Sequence, residues 1–127
     1  GAFMLGSPEE TEASLKATLE YSRKIDIQYA IFNITTPYPG TTPFDWASEK
    51  GYLRHTRWTE YDLSHAVLDL PTIAPETVEA YYRKAYRQFY LRGSYIWTHL
   101  LSIKTVENLL IHLAAASGIV ANILRRK

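Results

Sequence analysis

The first 34 residues alternate strand, helix and strand, and this order constrains the fold more than any other feature. Residues 2–5 form a short apolar run that ends at Gly6, and residues 27–34 form a second run rich in β-branched and aromatic side chains. Residues 11–25 between them have helical periodicity, with one side formed by Leu15, Leu19, Ser22 and Ile25. Two strands joined by a crossover helix pair in parallel, which predicts an α/β fold.

Prolines and capping residues predict where two helices begin. Ser7, Pro8 and Glu10 have the order of an N-cap, a first helical residue and the third residue of a capping box. Thr42 and Pro43 predict a second, short helix in the same way. We therefore expect the first helix to follow Ser7 and the second to follow Thr42.

The rest of the chain is predicted to be a loop, an irregular segment and several helices. Residues 35–41 contain two prolines and a glycine and predict a loop, and Gly51 is expected to end the second helix. Residues 52–71 are predicted to be irregular, with Trp58, Tyr61 and Leu63 packing back on the body.

A long helix is predicted from Pro75 to about Arg92, with Gly93 as its stop. Its apolar side is expected to contain Val78, Tyr81, Tyr82, Ala85, Phe89 and Tyr90. Ser94 and Thr105 are predicted caps of two further helices. The last of these carries a helix-packing seam of Val106, Leu110, Leu113, Ser117, Val120 and Leu124.

Composition excludes several classes of function. With 46% hydrophobic and 21% charged residues the chain is expected to be globular, and 14 Lys and Arg against 13 Asp and Glu give no basis for nucleic-acid or anionic-membrane binding. The absence of cysteine excludes disulfides, thiolate nucleophiles and cysteine-held metal clusters within these residues. The four histidines lack metal-ligand spacing, so no metal site is expected. No signal peptide or clean membrane span is visible, and a cytoplasmic location is expected.

Two short motifs in this order resemble radical S-adenosylmethionine enzymes. Residues 3–11, Phe-Met-Leu-Gly-Ser-Pro-Glu-Glu-Thr, are similar to that family's F-M-x-G-x-P-G-E-T element, although Glu9 stands where the family has glycine. Residues 36–41, Thr-Pro-Tyr-Pro-Gly-Thr, resemble its T-P-Y-P-G-T element. The likeness continues in residues 46–53, 58–62 and 83–92. It is strongest to the cobalamin-linked subgroup, which includes the anaerobic magnesium-protoporphyrin IX monomethyl ester oxidative cyclase.

This resemblance implies a fragment of a (β/α) partial barrel, with two parallel strands and helices, followed by a helical C-terminal extension. Residues 1–73 would be barrel units and residues 74–127 the extension. The parent would use S-adenosylmethionine and a [4Fe-4S] cluster to form a 5′-deoxyadenosyl radical, with cobalamin held by an upstream domain. Because the family's Cys-x3-Cys-x2-Cys motif is absent here, the expected partner is the missing N-terminal half, and the isolated chain is expected to be inactive. The parent is expected to act on a small-molecule substrate.

The resemblance also suggests which residues contact the cofactor, since ligands lie at the carboxyl ends of parallel strands. The predicted cofactor-binding residues are Met4, Gly6, Glu10, Asn33, Thr35, Thr36 and Tyr38, and no catalytic residue is predicted within the chain. Each has a structural alternative. Gly6 is also typical of a tight turn, and Glu10 also fits a capping box. Asn33, Thr35 and Thr36 would alternatively stabilise the turn after the strand, and Tyr38 would alternatively pack on its own loop.

Two other functions stay open at the level of sequence. The chain would also suit a non-catalytic interaction or oligomerisation module, assembled through its aromatic helix and last helix. Arg83, Lys84, Arg87 and Arg92, interleaved with tyrosines, would suit an RNA surface, although this spacing is typical of one packed aromatic face and one solvated basic face.

Overall fold

The computed structural model describes residues 1–54, 57–93 and 95–97. Its regular elements are β1 (Ala2–Leu5), α1 (Glu12–Lys24), β2 (Ile31–Ile34), α2 (Thr42–Glu49), a 3-10 turn (Trp58–Glu60) and α3 (Pro75–Tyr90). The chain divides into two units, Gly1–Tyr86 and Arg87–Lys127. The sheet and the candidate site belong to the first unit.

The predicted parallel pair of strands is confirmed. β1 and β2 pair in parallel, with Ala2 opposite Ile31 and Leu5 opposite Ile34. The second strand is shorter than predicted and begins at Ile31 instead of residue 27. Its length is set by its partner, because β1 has only four residues with which β2 can form a ladder.

The predicted start of α1 is wrong. Residues 7–10 form a turn in which Glu10 N–H donates to the Ser7 carbonyl at 3.0 Å. The helix is capped by Thr11, whose side chain accepts from Ser14 N–H while the Ser14 hydroxyl accepts from Thr11 N–H. A capping box thus forms four residues later than expected, because Glu10 is held by the end of β1.

The apolar side of α1 is largely as predicted. Leu15, Leu19 and Ser22 are buried, and Ile25 at the C-cap is half-buried. The Ser22 hydroxyl is satisfied within the helix, donating to the Leu19 carbonyl at 2.8 Å. This local bond lets a polar residue occupy the buried side of the helix without an unpaired hydroxyl.

The second helix begins one residue earlier than predicted. Thr41, not Thr42, is its N-cap, and Pro43 lies in the first turn. The Thr41 hydroxyl makes no capping bond and donates instead to the Tyr38 carbonyl at 2.6 Å. Gly51 follows the C-cap with φ +72°, which confirms its predicted role at the end of the helix.

The segment between α2 and α3 is irregular but packed. Leu53 and Leu68 form an antiparallel bridge, and Val67 between the two ends of the segment is completely buried. The predicted packing of Trp58 is wrong, since its side chain is 69% exposed. Tyr61 and Leu63 are half-buried. The apolar residues that fill the core here are Ala66, Val67, Leu68, Leu70 and Ile73.

The apolar face of α3 is confirmed in the part that belongs to the first unit. Val78, Tyr81, Tyr82 and Ala85 are buried. The Tyr81 hydroxyl donates to the Glu12 carboxylate at 3.0 Å, and this hydrogen bond, with burial and the negative charge, raises the pKa of Tyr81. α3 is thereby tied to the first turn of α1.

The opposite face of α3 is solvated and basic. Arg83, Lys84 and Arg87 are exposed, while the tyrosines between them are buried or half-buried. The helix ends at Tyr90, two residues before the predicted end, and Gly93 has helical backbone instead of acting as its stop. Within the second unit the Arg92 guanidinium lies 4.2 Å from the Phe89 ring centre.

The predicted helix caps Ser94 and Thr105 and the predicted seam of the last helix lie outside the described residues. The predicted boundary between residues 73 and 74 stays a prediction. Among residues 1–54, 57–93 and 95–97, no helix is long and apolar enough to span a membrane.

Candidate functional site

The candidate site lies at the carboxyl ends of β1 and β2. Met4 and Asn33 lie on the strands, and the other predicted residues follow a strand within five positions: Gly6, Glu10, Thr35, Thr36 and Tyr38. The two faces of this small sheet differ sharply. Leu5, Phe32 and Ile34 are buried on one face. The other face carries Met4 and Ile31, which are 50% and 56% exposed. One side of the sheet is therefore core and the other is open in the described part of the chain.

Met4 and Asn33 lie side by side on the open face. They are direct partners in the parallel register, one residue before the end of each strand. The Asn33 amide has no hydrogen-bond partner among the residues that the structure describes, and it is half-buried. This pair presents a flexible apolar thioether beside an amide that can both donate and accept.

Glu10 closes the end of β1. Its Oε2 accepts hydrogen bonds from the N–H groups of Gly6 and Ser7, the latter at 3.1 Å, and Oε1 accepts from the Ser14 hydroxyl at 3.4 Å. Two successive backbone N–H groups make a concavity that attracts anions. Here the chain fills that concavity with its own carboxylate, which gives Glu10 a structural role different from the predicted capping box.

Gly6 is required by packing against α3. Its φ is +77°, and a Cβ added there would lie 2.9 Å from the Cγ1 atom of Val78. Two structural features therefore favour glycine at this position, the left-handed backbone conformation and the close approach of Val78. These favour the turn interpretation of Gly6 over close approach of a ligand.

A hydroxyl pair joins the two strand ends. Ser7 Oγ and Thr35 Oγ1 are 3.2 Å apart, and Thr35 N–H donates to the Leu5 carbonyl at 2.7 Å. Thr36 is buried and its hydroxyl donates to the Ile34 carbonyl at 3.0 Å. The Thr35 hydroxyl thus lies at the site and can form a further hydrogen bond, whereas the Thr36 hydroxyl stabilises the local turn. Ser7 belongs to this site although the sequence indicated only a helix cap.

Glu9 occupies a backbone conformation that glycine adopts more easily. Its φ is +65°, and its side chain is exposed. A residue other than glycine is strained at a positive φ, so Glu9 carries a backbone cost that glycine would not. The carboxylate of Glu9 makes no hydrogen bond in the described part of the chain.

Tyr38 belongs to a second cluster, which sequence analysis missed. Its hydroxyl donates to the Tyr61 carbonyl at 3.0 Å, and the two ring centres are 6.1 Å apart. Trp58 lies against Tyr61 with ring centres 4.9 Å apart. We call these three residues the aromatic surface. Tyr38 is 20 and more residues away from the other two in the sequence, so only the return of the chain to β2 brings the cluster together.

A polar turn follows the aromatic surface. Asp62 Oδ1 accepts from Ser64 N–H at 2.9 Å, from the Ser64 hydroxyl at 2.7 Å and from His65 Nδ1 at 2.9 Å. Burial raises the pKa of Asp62, but the hydrogen bonds from Ser64 and His65 outweigh it and lower the pKa to about 2. Leu63 within this turn has φ +64°, and its carbonyl accepts a hydrogen bond from Ile34 N–H at 2.7 Å. The turn is thus fixed against the end of β2.

The described residues hold no cluster of side chains suited to a metal ion. The sequence has no cysteine, and among the described residues no three His, Asp or Glu side chains form a cluster suited to a metal ion. His65 pairs with Asp62 instead. The arrangement can offer apolar, amide, hydroxyl and aromatic contacts to a ligand.

Comparison with known proteins identifies three methyltransferases as relatives. An uncharacterized methyltransferase of Pyrococcus horikoshii is 39% identical over 92 residues, which is 72% of this chain and 20% of that protein. Bacteriochlorophyllide d C-12(1)-methyltransferase of Chlorobaculum tepidum is 29% identical over 96 residues, or 76% of this chain and 20% of that protein. Bacteriochlorophyllide d C-8(2)-methyltransferase of the same organism is 27% identical over 121 residues, which is 91% of this chain and 27% of that protein.

The chain spans about a fifth to a quarter of the length of these relatives. No protein-family model matches it. No solved structure matches it. The chain is therefore similar to one portion of methyltransferases, two of which are named for bacteriochlorophyllide d.

Proposed function

We propose that this chain is the C-terminal part of a radical S-adenosylmethionine enzyme that methylates a tetrapyrrole. The observation that carries the proposal is the pairing of Met4 with Asn33 on the open face of a parallel sheet, beside the Thr35 hydroxyl. Ligands of parallel α/β folds bind at this edge. The similarity to three methyltransferases supports the reaction class.

The partner that completes the site is the N-terminal half of the parent protein. In the parallel ladder the backbone groups of Phe3 and Leu5 face β2, so those of Ala2 and Met4 face the other edge of β1. No strand lies at that edge in the part of the chain that the structure describes. A further parallel strand would pair there and would place the exposed Met4 and Ile31 inside a barrel.

The residues at the open face fit S-adenosylmethionine. Met4 offers an apolar contact for the adenine ring, the Asn33 amide can donate and accept at its edge, and Thr35 offers a hydroxyl. When bound, the cofactor would supply a methyl group or a 5′-deoxyadenosyl radical. Gly6, Glu10 and Thr36 would support the site by shaping it, since their groups are engaged in local structure.

The other two cofactors find no fit among the described residues. A [4Fe-4S] cluster needs cysteine thiolates, and the chain has no cysteine. No described residue suggests a place for cobalamin. In this proposal both groups belong to the upstream part of the parent, which would act in the reducing cytoplasm.

Methyl transfer is preferred to oxidative cyclisation of magnesium-protoporphyrin IX monomethyl ester. All three relatives are named methyltransferases. A planar tetrapyrrole remains the proposed substrate class, because two of the three are named for bacteriochlorophyllide d.

The test is cofactor binding by the parent protein. The gene upstream of Gly1 should encode Cys-x3-Cys-x2-Cys, and the parent, reconstituted anaerobically, should bind a cluster and S-adenosylmethionine. Asn33→Ala is expected to weaken S-adenosylmethionine binding about tenfold, because a hydrogen bond to a buried ligand is lost. Tyr21→Ala, on the exposed side of α1, is the matched control and should bind as tightly as the wild type.

Two results would contradict the proposal. One is a parent that binds neither cluster nor S-adenosylmethionine. The other is equal cofactor affinity of the Asn33→Ala variant and the Tyr21→Ala control. A stable oligomer of this chain in either case would favour the interaction module instead.

A further inference from the structure

The aromatic surface is exposed although its members are large. Trp58 is 69% exposed and Tyr38 is 43% exposed, while Tyr61 between them is half-buried. Aromatic side chains of this size lower their free energy by leaving water, so a cluster of them held at the surface marks a place where something else binds.

The three rings are held in place by backbone interactions. Tyr61 N–H donates to the Trp58 carbonyl at 3.1 Å, closing the 3-10 turn Trp58–Glu60. The Tyr38 hydroxyl donates to the Tyr61 carbonyl, which ties the loop after β2 to this turn. The next residue, Asp62, fixes the following turn through Ser64. A surface ordered before binding loses little conformational entropy when a ligand stacks on it.

The aromatic surface is anchored to the carboxyl end of β2, the strand that carries Asn33. Tyr38 follows β2 by four residues, and the Leu63 carbonyl, two residues after Tyr61, accepts from Ile34 N–H at 2.7 Å. Both connections meet the carboxyl end of β2. A molecule stacked on these rings would therefore lie near the carboxyl end of β2.

The chemistry of the surface favours a flat aromatic ligand that carries an acidic group. The Trp58–Tyr61 and Tyr38–Tyr61 ring planes are inclined at 46° and 49°, so the rings offer edges and faces to a rigid plate. Arg57, directly before Trp58, is exposed and offers a guanidinium for a carboxylate at the rim of such a plate.

We propose that Tyr38, Trp58 and Tyr61 bind one face of a planar tetrapyrrole macrocycle, and that Arg57 pairs with a carboxylate substituent of that macrocycle. This inference rests on the proposed function, which supplies the substrate class. It assigns the substrate to the aromatic surface and leaves Met4 and Asn33 to the cofactor. Trp58 is then the main stacking residue, because it is the most exposed of the three.

The test is direct binding of protoporphyrin IX to the full chain, followed by the absorption of the porphyrin. Trp58→Ala is expected to weaken binding about tenfold, since aromatic stacking of this kind contributes roughly that factor. Trp97→Ala is the matched control, because Trp97 is 65% exposed and belongs to the second unit. Circular dichroism of both variants checks that the fold is kept.

A second experiment tests the proposed pairing of Arg57 with a carboxylate of the porphyrin. Arg57→Glu should weaken binding of protoporphyrin IX and leave binding of its dimethyl ester unchanged, because the ester has no carboxylate. The inference is overturned if Trp58→Ala binds the porphyrin like the wild type, or if Trp97→Ala loses as much affinity as Trp58→Ala. It is also overturned if Trp58 in the parent is protected from acrylamide quenching, because other parts of the protein would then cover the aromatic surface.

This test separates the two proposals. If the parent binds S-adenosylmethionine and the chain does not bind the porphyrin, the substrate surface is wrong and the proposed function stands. If porphyrin binding depends on Trp58 and the parent binds no S-adenosylmethionine, the surface stands and the proposed reaction is wrong.

Discussion

The Tyr86 hydroxyl bonds twice to the backbone of Phe32 on the outer edge of β2. It accepts from Phe32 N–H at 3.3 Å and donates to the Phe32 carbonyl at 3.2 Å, and the two rings meet edge to face with centres 5.3 Å apart. An edge strand exposes backbone groups that attract another strand. The Tyr86 hydroxyl on α3 therefore occupies backbone groups at the outer edge of β2, where another strand would otherwise pair. The outer edge of β1 stays open among the described residues.

Replacing Tyr86 by phenylalanine should destabilise the fold. Tyr86→Phe keeps the ring contact with Phe32 and removes the two hydrogen bonds, which should lower the free energy of unfolding by about 1–3 kcal/mol. Urea denaturation of the chain measures this change. Tyr21→Phe, at an exposed tyrosine on α1, is the control and should change stability by less than about 0.5 kcal/mol. Equal stability of the two variants would refute the role of the hydroxyl.

Alanine at Gly6 should cost more than alanine at Gly40. Both glycines have positive φ, +77° and +81°, so both substitutions share a backbone cost of about 1–2 kcal/mol. Only at Gly6 does the new Cβ meet a neighbour, Val78, which adds about 1–3 kcal/mol of overpacking, since Gly40 has nothing within 4 Å. Thermal or urea unfolding of both variants isolates the contact with Val78. A Gly40→Ala variant as unstable as Gly6→Ala would contradict this account.

Glycine at position 9 should stabilise the chain. Glu9 has φ +65°, and glycine relieves that strain, which should raise the free energy of unfolding by up to about 1 kcal/mol after its greater unfolded-state entropy is counted. Glu20→Gly, at an exposed position inside α1, tests the opposite case and should destabilise by about 1 kcal/mol. Changes of the same sign in both variants would show that the backbone at Glu9 is unstrained.

The Asp62 carboxylate should stay charged in acid. Its folded pKa of about 2 lies below the ordinary 3.8, so ionised Asp62 stabilises the fold fully above about pH 4, and this contribution is lost as the pH falls through about 2. Carbon-13 NMR of the side chain at about pH 3 should show mostly carboxylate. Ser64→Ala should raise the pKa more than His65→Ala, because Ser64 donates two of the three bonds. A titration midpoint near 3.8 in the wild type would contradict the turn geometry.

Local patterns in the sequence were sufficient for the elements whose cause is local. The buried side of α1 follows from the spacing of Leu15 and Leu19, because periodicity is a property of neighbouring residues. The parallel pair follows from the order of strand, helix and strand, because a crossover connection brings the two strands together in parallel. The start of α1 was not predictable in this way. Glu10 fits a capping box by sequence, but its carboxylate bonds to Gly6 and Ser7 once β1 ends beside it.

The sequence by itself determined the α/β order and the residues that follow each strand. Only the tertiary structure decided which of these residues remain available to a ligand. Gly6 packs closely against Val78, and the Thr36 hydroxyl is bonded to the Ile34 carbonyl. The Asn33 amide, in contrast, has no hydrogen-bond partner in the described part of the chain. It also decided that Trp58 lies in solvent beside Tyr38 and Tyr61 instead of in the core. The physical reason is that Gly6 meets Val78, and Tyr38 meets Tyr61, across tens of positions in the chain, and no local pattern encodes such contacts.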